Sequence, residues 1–513
     1  MYIITFMFSI WQSILFWHKT PGISVILFVF PFLIFLIKYL DKNNKIKNKK
    51  AILIVIPILL LASTYFIFNN EFLTGLNKII LPALTIIMIM ELICEEFTLE
   101  KAINNVLNFL MKPIGYFGLI GKNLFKKIKK DNIEEQEKSK KIKRLLKSLL
   151  ISAPILLIVL VLLITADSDF ANIFDNSISR VINFIQKIRL SNITSRIIAI
   201  IFIFFYFTGF MENIILTKEI ERNKSEIKEK DSLSIKITLF VLNIFYLLFC
   251  IIQVKRMYSI YFINNNIDYS YYARQGFFQL MLISLINLIV ILKSKSKYYK
   301  GNKYIISMDL IMLFSTAIIL ISSFTKMYLY QQRYGFTELR IFVFLAQITE
   351  GILIIPTLIH VLDKKIKLKK TYFTIIVIMY VILNFINIDR LIAKRNVDMY
   401  LERGSISEGD VYFLTNLSVD AIPETIRLLD LNNKEEQNYL DMLNKIEQAT
   451  NEQVDESLRK DIYNDYYMDE NKKILIKRLK EIYEDLSNNK IRWQEYNISE
   501  YRAMQILKKV FTI

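Results

Sequence analysis

Ten apolar runs, each long enough to cross a membrane, divide the first 388 residues of this 513-residue chain. A helix rises about 1.5 Å per residue, so roughly 20 apolar residues cross a hydrocarbon core of about 30 Å. None of the runs carries the polar stripe of a soluble helix. The predicted spans cover residues 23–40, 51–68, 74–94, 147–165, 193–215, 235–254, 275–292, 304–323, 338–361 and 371–388. The pattern predicts an all-α, polytopic helical membrane protein.

The first 22 residues form a separate apolar segment. Met1–Trp17 is apolar like the runs that follow, and Pro21-Gly22 then turns the chain into the span at 23–40. The segment is therefore a candidate eleventh span. A cleaved signal peptide fits it poorly, because no basic residue precedes the apolar run and no small-x-small cleavage site follows it.

Lysine and arginine are distributed unevenly between the loops. Residues 41–50, 95–147, 216–234, 293–303 and 363–370 hold 33 of them, and the intervening loops hold 9. Basic loops stay on the cytoplasmic side, so the first set is predicted to be cytoplasmic and to face anionic lipid of the bilayer. The net charge of +18 is then a membrane feature, and no nucleic-acid partner is expected.

This topology divides the chain into five predicted regions. After the segment 1–22 come three spans at 23–94, the basic cytoplasmic loop 95–147 and a seven-span membrane core at 148–388. Residues 389–513 contain no apolar run and carry 19 basic and 24 acidic residues. A chain that starts on the outer side of the cell membrane and crosses it ten times also ends on the outer side. Residues 389–513 are therefore predicted to form a soluble, extracytoplasmic helical domain.

Start and stop signals outline helices within residues 389–513. A helix at 396–403 should stop at Gly404, and Ser407 or Gly409 should precede the next one at 410–417. Ser418 is expected to cap a third helix at 419–429, with Pro423 in its first turns. Helical spacing also predicts helices at 434–443, 457–467 and 471–486.

Charged residues at the outer ends of the spans are the candidate functional residues. Unpaired charge at the apolar boundary is costly, so partners are expected there. We predict a polar network, lining an outward-facing vestibule, of Asp167, Asp169, Arg274, Glu338 and Arg340. The residues predicted to couple it to the outer domain are Asp389, Arg395, Asn396 and Asp420. Interfacial anchoring is the simpler explanation of each cluster.

Cofactor and metal chemistry find little support in the sequence. The only two histidines, His18 and His360, lie far apart, and both cysteines, Cys94 and Cys250, lie in or at the end of apolar runs. No glycine-rich phosphate loop, serine nucleophile elbow or zinc motif is present. We therefore expect no cofactor and no metal.

Several polar clusters carry a resemblance to a known family. The segments are 272–278, 334–340, 392–396, 414–423 and 493–503, with a fainter likeness at 16–22. Together and in this order they resemble a bacterial multipass membrane family called domain of unknown function 4173, to which a family numbered 4153 is related. The family pattern has a proline where this chain has Ile388 between Asn387 and Asp389. The resemblance implies a membrane fold and carries no established activity.

Three classes of function stay open. A non-enzymatic sensor or scaffold of the cell envelope makes the fewest demands, with an envelope protein or a lipid-linked ligand as its outer partner. A transporter or flippase would use intramembrane charge such as Glu91, Asp309 and Glu350. A lipid-linked glycosyl- or phosphoryl-transferase would use the Asp-x-Asp of Asp167 and Asp169. The sequence favours a protein that is not an enzyme without deciding the question.

Overall fold

A computed structural model shows a chain of helices joined by turns. It describes residues 1–93, 192–216, 232–258, 277–298, 303–362, 366–430, 433, 436–437, 439–440, 469–488 and 492–511. These ranges contain no strand, so the all-α prediction is confirmed for them. The basic loop 95–147, the predicted span 147–165 and the predicted helix 457–467 lie outside the described residues.

The α-helices of the described ranges are numbered in chain order. They are α1 (Tyr2–Phe16), α2 (Ile23–Lys42), α3 (Val55–Ile67), α4 (Glu71–Ile93), α5 (Asn192–Leu216), α6 (Ser232–Tyr258), α7 (Phe277–Tyr298), α8 (Lys303–Tyr334), α9 (Glu338–Leu362), α10 (Leu368–Phe385), α11 (Ile388–Arg403), α12 (Glu408–Thr415), α13 (Ile422–Thr425), α14 (Glu470–Asn488) and α15 (Ile498–Phe511). Short 3-10 turns precede α3, flank α13 and precede α15. The chain forms two compact units, one of Met1–Trp17 with Asn108–Leu216 and one of His18–Leu107 with Thr217–Ile513.

In the first unit, α1 and α5 pack side by side in antiparallel directions. The hydroxyls of Thr5 and Thr208 lie 3.1 Å apart, and Arg196 Nε donates to Ser13 Oγ at 2.9 Å near the other end of the pair. Small hydroxyl residues allow two helices to approach closely and to share hydrogen bonds in an apolar setting. With 15 residues, α1 does not reach the length of a span.

Seven helical segments are long and apolar enough to cross a membrane. They are Ile23–Lys42, Lys49–Ile67, Glu71–Ile93, Asn192–Glu212, Lys303–Gln332, Glu338–Leu362 and Leu368–Phe385. Each corresponds to one of the ten predicted spans. The predicted span 235–254 lies in α6, and most of the predicted span 275–292 lies in α7. The apolar stretches found there among the described residues, Leu239–Lys255 and Gln279–Leu292, are shorter than a span. Seven of the ten predicted spans are thus supported by the described residues, and the spans predicted at 147–165, 235–254 and 275–292 are not confirmed.

A bundle of α6, α7, α8 and α9 forms the largest group of spanning and apolar helices. Its core includes Leu239, Leu288, Met312 and Leu353, all buried. Apolar side chains also cover the outside of the bundle, where Phe245 is 64% exposed. Helices with apolar side chains both towards the core and on the outside are typical of a lipid environment, since neither of these two faces requires contact with water. On its far side, α9 packs against α10, which in turn packs against α3.

The C-terminal helices share a hydrophobic core of their own. It includes Val397 of α11, Leu414 of α12, Leu479 of α14 and Leu507 of α15, all with exposures of 1% or less. Burial of several large aliphatic side chains is the main stabilising term in such a helical module. The name C-terminal module is used below for α11 to α15.

Three predictions from local sequence signals in the C-terminal module are confirmed. The helix α11 ends at Gly404, whose φ of +68° suits a residue without a side chain. Ser407 caps α12 in a reciprocal pair with Asp410, and Pro423 occupies the first turn of α13. The predicted single helix at 419–429 is wrong, because two 3-10 turns flank the four residues of α13.

Candidate functional site

The turn between α3 and α4 presents two asparagines to the rest of the molecule. The backbone N–H of Asn69 donates to Asp420 Oδ2 at 2.8 Å, and its side-chain amide donates to Glu500 Oε1 at 3.0 Å. The Oδ1 of Asn70 accepts from the backbone N–H of Leu73 at 2.8 Å and so caps α4. One short turn therefore binds two remote acids of the C-terminal module while it also starts a spanning helix.

The amide of Asn70 joins two carboxyl groups. Its Nδ2 donates to Glu338 Oε1 at 2.8 Å and to Asp389 Oδ2 at 3.1 Å, and Ser418 Oγ donates to the same Oδ2. Asp389 is only 2% exposed, and no described residue donates to its Oδ1. Burial, together with the neighbouring Glu338 carboxyl, raises the pKa of Asp389 to about 6.

A second buried carboxyl, that of Asp420, receives three donors. They are the backbone N–H of Asn69, Asn387 Nδ2 at 3.2 Å and Ser499 Oγ. Burial raises the pKa of Asp420, and the donors from Ser499 and Asn69 oppose that rise. This carboxyl thus holds together the start of α11, the α3–α4 turn and the start of α15.

The C-terminal end of α3 is capped by side chains from the far end of the chain. Asn497 Nδ2 donates to the carbonyl oxygens of Tyr65 and Phe68 at 3.1 and 2.9 Å, and Ser499 Oγ donates to that of Ile67 at 3.0 Å. The last carbonyls of a helix have no partner within it and must find one elsewhere. Here the C-terminal module supplies them, so a spanning helix is completed by residues more than 400 positions later.

A second contact joins α11 to the turn between α8 and α9. The side-chain amide of Asn396 pairs with the backbone of Phe336, accepting from its N–H at 2.8 Å and donating to its carbonyl at 3.0 Å. The preceding Gly335 has a φ of +74°, and a Cβ there would lie 2.7 Å from Asn396 Oδ1. Glycine is therefore required by both the backbone conformation and the close approach of the amide.

The guanidinium of Arg340 stabilises the same turn from within α9. It donates to the carbonyl oxygens of Tyr334, at 2.9 Å, and Gly335, and it lies over the ring of Tyr330 at 4.5 Å from the ring centre. These contacts fix the end of α8 against the start of α9. Arg340 therefore acts on the turn and is not a counterion of the Glu338–Asp389 pair.

A third contact brings the start of α2 against the turn that precedes α15. Ile23 N donates to the carbonyl of Tyr496 at 3.2 Å, and Thr20 N donates to Glu495 Oε1 at 3.0 Å. A Cβ on Gly22 would lie 2.6 Å from the backbone carbonyl of Glu495. Only glycine permits this approach without a shift of the backbone.

We call the contacts of the α3–α4 turn, Glu338, Asp389, Asp420 and Ser499 the junction network. All of these residues belong to the same compact unit. Among the described residues, no group of three or more His, Cys, Asp or Glu is placed to hold a metal ion. Chemically, the junction network is a set of buried carboxyl groups that accept hydrogen bonds from uncharged donors.

A family model described as Domain of unknown function (DUF4153) matches residues 55–428, which is more than half of the chain. The chain belongs to this family. The match covers four of the junction segments, from the α3–α4 turn to Asp420, and ends before Ser499. Neither the curated proteins nor the solved structures that were compared contain a match. The match is to the 4153 family, which the sequence resemblance had named as the relative of the 4173 family.

The predicted site residues separate into three groups in this member of the 4153 family. Glu338, Asp389 and Asp420 belong to the junction network, and Asn396 forms the second contact. Arg395 is exposed on α11, and Arg340 binds the α8–α9 turn. The remaining three, Asp167, Asp169 and Arg274, lie outside the described residues.

Sequence reasoning missed the donors of the junction network. Asn69 and Asn70 interrupt two apolar runs, which was a usable signal, but asparagine is frequent throughout this chain. Ser418 was expected to cap a helix, and its hydroxyl instead donates to Asp389. Asn497 and Ser499 lie in the segment 493–503, which resembles a family signature. That resemblance did not show which residues these two side chains would contact.

The raised pKa of Asp389 predicts that the junction network is more stable in mild acid. A protonated Asp389 favours the folded state below its ordinary pKa of 3.8, and this advantage is lost as the pH rises through about 6. The difference of about two units between these two pKa values corresponds to at most about 3 kcal/mol in the free energy of unfolding. We expect the thermal unfolding midpoint of the full chain in detergent to fall between pH 4.5 and 7.5, and Asp389→Asn to flatten this dependence.

Asp485→Asn is the matched control, because Asp485 is exposed on α14. It should leave the pH dependence as in the wild type. Burial raises the pKa of Asp420 and of Glu500 as well, so part of the slope should persist in Asp389→Asn. A slope identical in wild type and Asp389→Asn would contradict the assignment to Asp389.

Proposed function

We propose that this membrane protein is a sensor or scaffold of the cell envelope whose C-terminal module lies outside the cytoplasm. The observation that carries the proposal is the junction network, in which buried acids and amides tie the module to two turns between spanning helices. A ligand or partner that displaces the module would pull on both turns at once. Rigid attachment of this kind suits transmission of a binding event to the spans.

The orientation rests on the loop charges. The basic loops 41–50 and 363–370 lie at the opposite ends of α2 and α10 from the C-terminal module. Since basic loops stay in the cytoplasm, the module would face outward. The roles predicted for Asp167, Asp169 and Arg274 stay predictions, as does the likeness to the 4173 family.

Cysteine labelling of intact cells tests the orientation. The native thiols are removed by Cys94→Ser and Cys250→Ser, and a single cysteine is then introduced as Asn488→Cys or Asn132→Cys. We expect an impermeant maleimide to label position 488 in intact cells, because Asn488 is exposed at the end of α14, and position 132 only after permeabilisation. The reverse pattern would place the module in the cytoplasm and refute the envelope role.

Hydrogen–deuterium exchange of the full chain in lipid nanodiscs tests the coupling. Asp420→Ala removes the acceptor of Asn69 N–H and Asn387 Nδ2 and one of the two acceptors of Ser499 Oγ. Each buried donor left without a partner costs about 1–3 kcal/mol. We expect faster exchange in the α3–α4 turn and at the start of α15 together. Asp485→Ala should leave both segments unchanged, since surface substitutions stay within about 0.5 kcal/mol. Faster exchange confined to residues beside position 420 would mean that the segments are not coupled.

A transporter is the second candidate, and a buried polar stripe along α8 favours it. The stripe recurs every seven residues, at Asp309, at Ser315 and Thr316, and at Ser322 and Ser323, all fully buried. Two turns of helix separate successive steps, so the stripe extends about 21 Å. Polar side chains inside a membrane commonly mark a path for ions or protons.

Neighbouring helices add polar partners along this stripe. Asn287 Nδ2 donates to Thr316 Oγ1 at 3.0 Å, and Gln347 Nε2 donates to Ser323 Oγ at 2.7 Å. The buried Glu350 of α9 accepts from Ser284 Oγ of α7. Glu350 lies one turn from Gln347 on the same face of α9, so its carboxyl stands beside the stripe.

Proton flux into liposomes that contain the full chain tests this second candidate. Glu350→Gln should lower the dye-reported flux under an imposed potential at least about tenfold, because an amide cannot carry a proton. Asp41→Asn, which changes an exposed acid at the end of α2, should leave the flux unchanged. Equal fluxes for wild type, Glu350→Gln and protein-free liposomes would exclude a proton path.

A further inference from the structure

The segment 493–499, which forms the start of α15 and the turn before it, contacts the ends of two spanning helices. The carbonyl of Tyr496 accepts from the N–H of Ile23, the first residue of α2, at 3.2 Å. Ser499 Oγ donates to the carbonyl of Ile67, the last residue of α3, at 3.0 Å. Both helices are long and apolar enough to cross a membrane. The segment therefore lies at the height at which α2 and α3 leave the bilayer.

The apolar parts of α2 and α3 extend to the helix ends that this segment contacts. Residues 23–37 of α2 hold no charged side chain, and neither do residues 51–68, which include the whole of α3. Charged side chains are the usual mark of the point at which a spanning helix leaves the hydrocarbon. Their absence from these sequences indicates that the hydrocarbon reaches both helix ends. The segment 493–499 is then level with the lipid headgroups.

Exposed aromatic side chains cluster in and beside this segment. Among the described residues of 388–511, four large hydrophobic side chains are exposed, and three of them are Trp493 (56%), Tyr496 (38%) and Tyr501 (46%). The fourth is Leu401 of α11. The spanning helices, in contrast, expose mainly isoleucine, leucine and phenylalanine. Tryptophan and tyrosine combine an apolar ring with a polar group, which is why they are enriched where a membrane protein passes from hydrocarbon to headgroups.

The three rings belong to one patch. The ring centres of Tyr496 and Tyr501 lie 6.2 Å apart. Trp493 begins a 3-10 turn, in which side chains three positions apart lie above one another, so its ring is on the same side as that of Tyr496. In the amide orientation that satisfies both neighbouring donors, Gln494 Oε1 accepts from Trp493 Nε1 at 3.1 Å. The indole N–H then has a partner within the protein, and the exposed remainder of the ring is apolar.

We propose that Trp493, Tyr496 and Tyr501 insert into the headgroup layer, so that the lipid surface is a binding partner of the C-terminal module. Arg492 and Arg502, both exposed, adjoin the first and the last of these aromatics in sequence. Their guanidinium groups suit lipid phosphates, which they can bind through two parallel hydrogen bonds. The inference goes beyond the proposed sensor or scaffold, because the height of the patch is the same whichever side of the membrane the module occupies.

Fluorescence of Trp493 in the full chain, held in phosphatidylcholine nanodiscs, tests the proposal. The chain has three tryptophans, so Trp11→Phe with Trp17→Phe leaves Trp493 as the single reporter. We expect its emission to lose intensity when the lipid carries bromine at the start of the acyl chains, because bromine quenches tryptophan on contact. Bromine near the chain ends should cause a smaller loss, since those ends lie at the centre of the bilayer.

Glu470→Trp, in a chain whose three native tryptophans are replaced by phenylalanine, is the matched control. Glu470 is exposed at the start of α14, about 18 Å along that helix from Ile482, which lines a cavity beside the starts of α4 and α9. Dissolved iodide should quench this reporter and brominated lipid should not, whereas Trp493 should show the reverse. Quenching of Trp493 by iodide as strong as at position 470, without loss in brominated lipid, would overturn the proposal and leave the patch to a soluble partner. Quenching by bromine at the chain ends alone would also overturn it, since the ring would then lie in the hydrocarbon.

Discussion

The hydrogen bonds of one short turn, Asn69 and Asn70 between α3 and α4, hold the C-terminal module against the spanning helices of its own compact unit. A turn between two membrane helices has to satisfy the open ends of both. Asn70 caps the start of α4 itself, while Asn497 and Ser499 cap the end of α3 from the C-terminal module. The N–H groups of Asn69 and Asn70 that take no part in capping then donate to the carboxyl groups. The position of the module is thus set by the need to complete a helix end.

Neutral donors satisfy these acids only in part. Asp389 and Asp420 are almost fully buried, and each accepts hydrogen bonds from amides and hydroxyls without an ion pair among the described contacts. Neutral donors do not cancel the cost of burying a charge, so burial raises the pKa of both carboxyls. A proton on either carboxyl would reduce the same cost. Sensitivity to pH is therefore a consequence of this arrangement.

Two glycines show how closely the module is fitted to the turns. At Gly335 the backbone adopts a conformation that disfavours side chains, and at Gly22 the backbone of Glu495 leaves no space for one. The constraint at Gly335 is its positive φ, whereas the contact at Gly22 is with backbone atoms, which cannot move aside as a side chain can. Within the membrane helices the buried polar groups of α8 play a different part, since they join neighbouring helices at regular intervals.

Much of the fold could be predicted from local sequence patterns, because interactions between residues close in sequence determine where a helix forms and where it ends. The length of an apolar run is enough to predict a spanning helix, and seven of the ten runs gave one among the described residues. Gly404 and Ser407 mark helix ends through their own backbone and hydroxyl. The boundary charges of α9 were located correctly as well. Their separate partners could not be predicted, since Glu338 and Arg340, two residues apart on a helix, bind different groups.

The sequence by itself determined a helical membrane chain, some of the residues at which its helices begin and end, and which acids stand at its apolar boundaries. Only the tertiary structure decided the partners of those acids. Asn70 meets Asp389 across 319 positions, and Asn69 meets Glu500 across 431. Such pairs depend on which helices pack together, and periodicity in a single helix carries no information about that. Ser418 illustrates the reason: its local environment suits a helix cap, but a buried carboxyl nearby is the stronger acceptor.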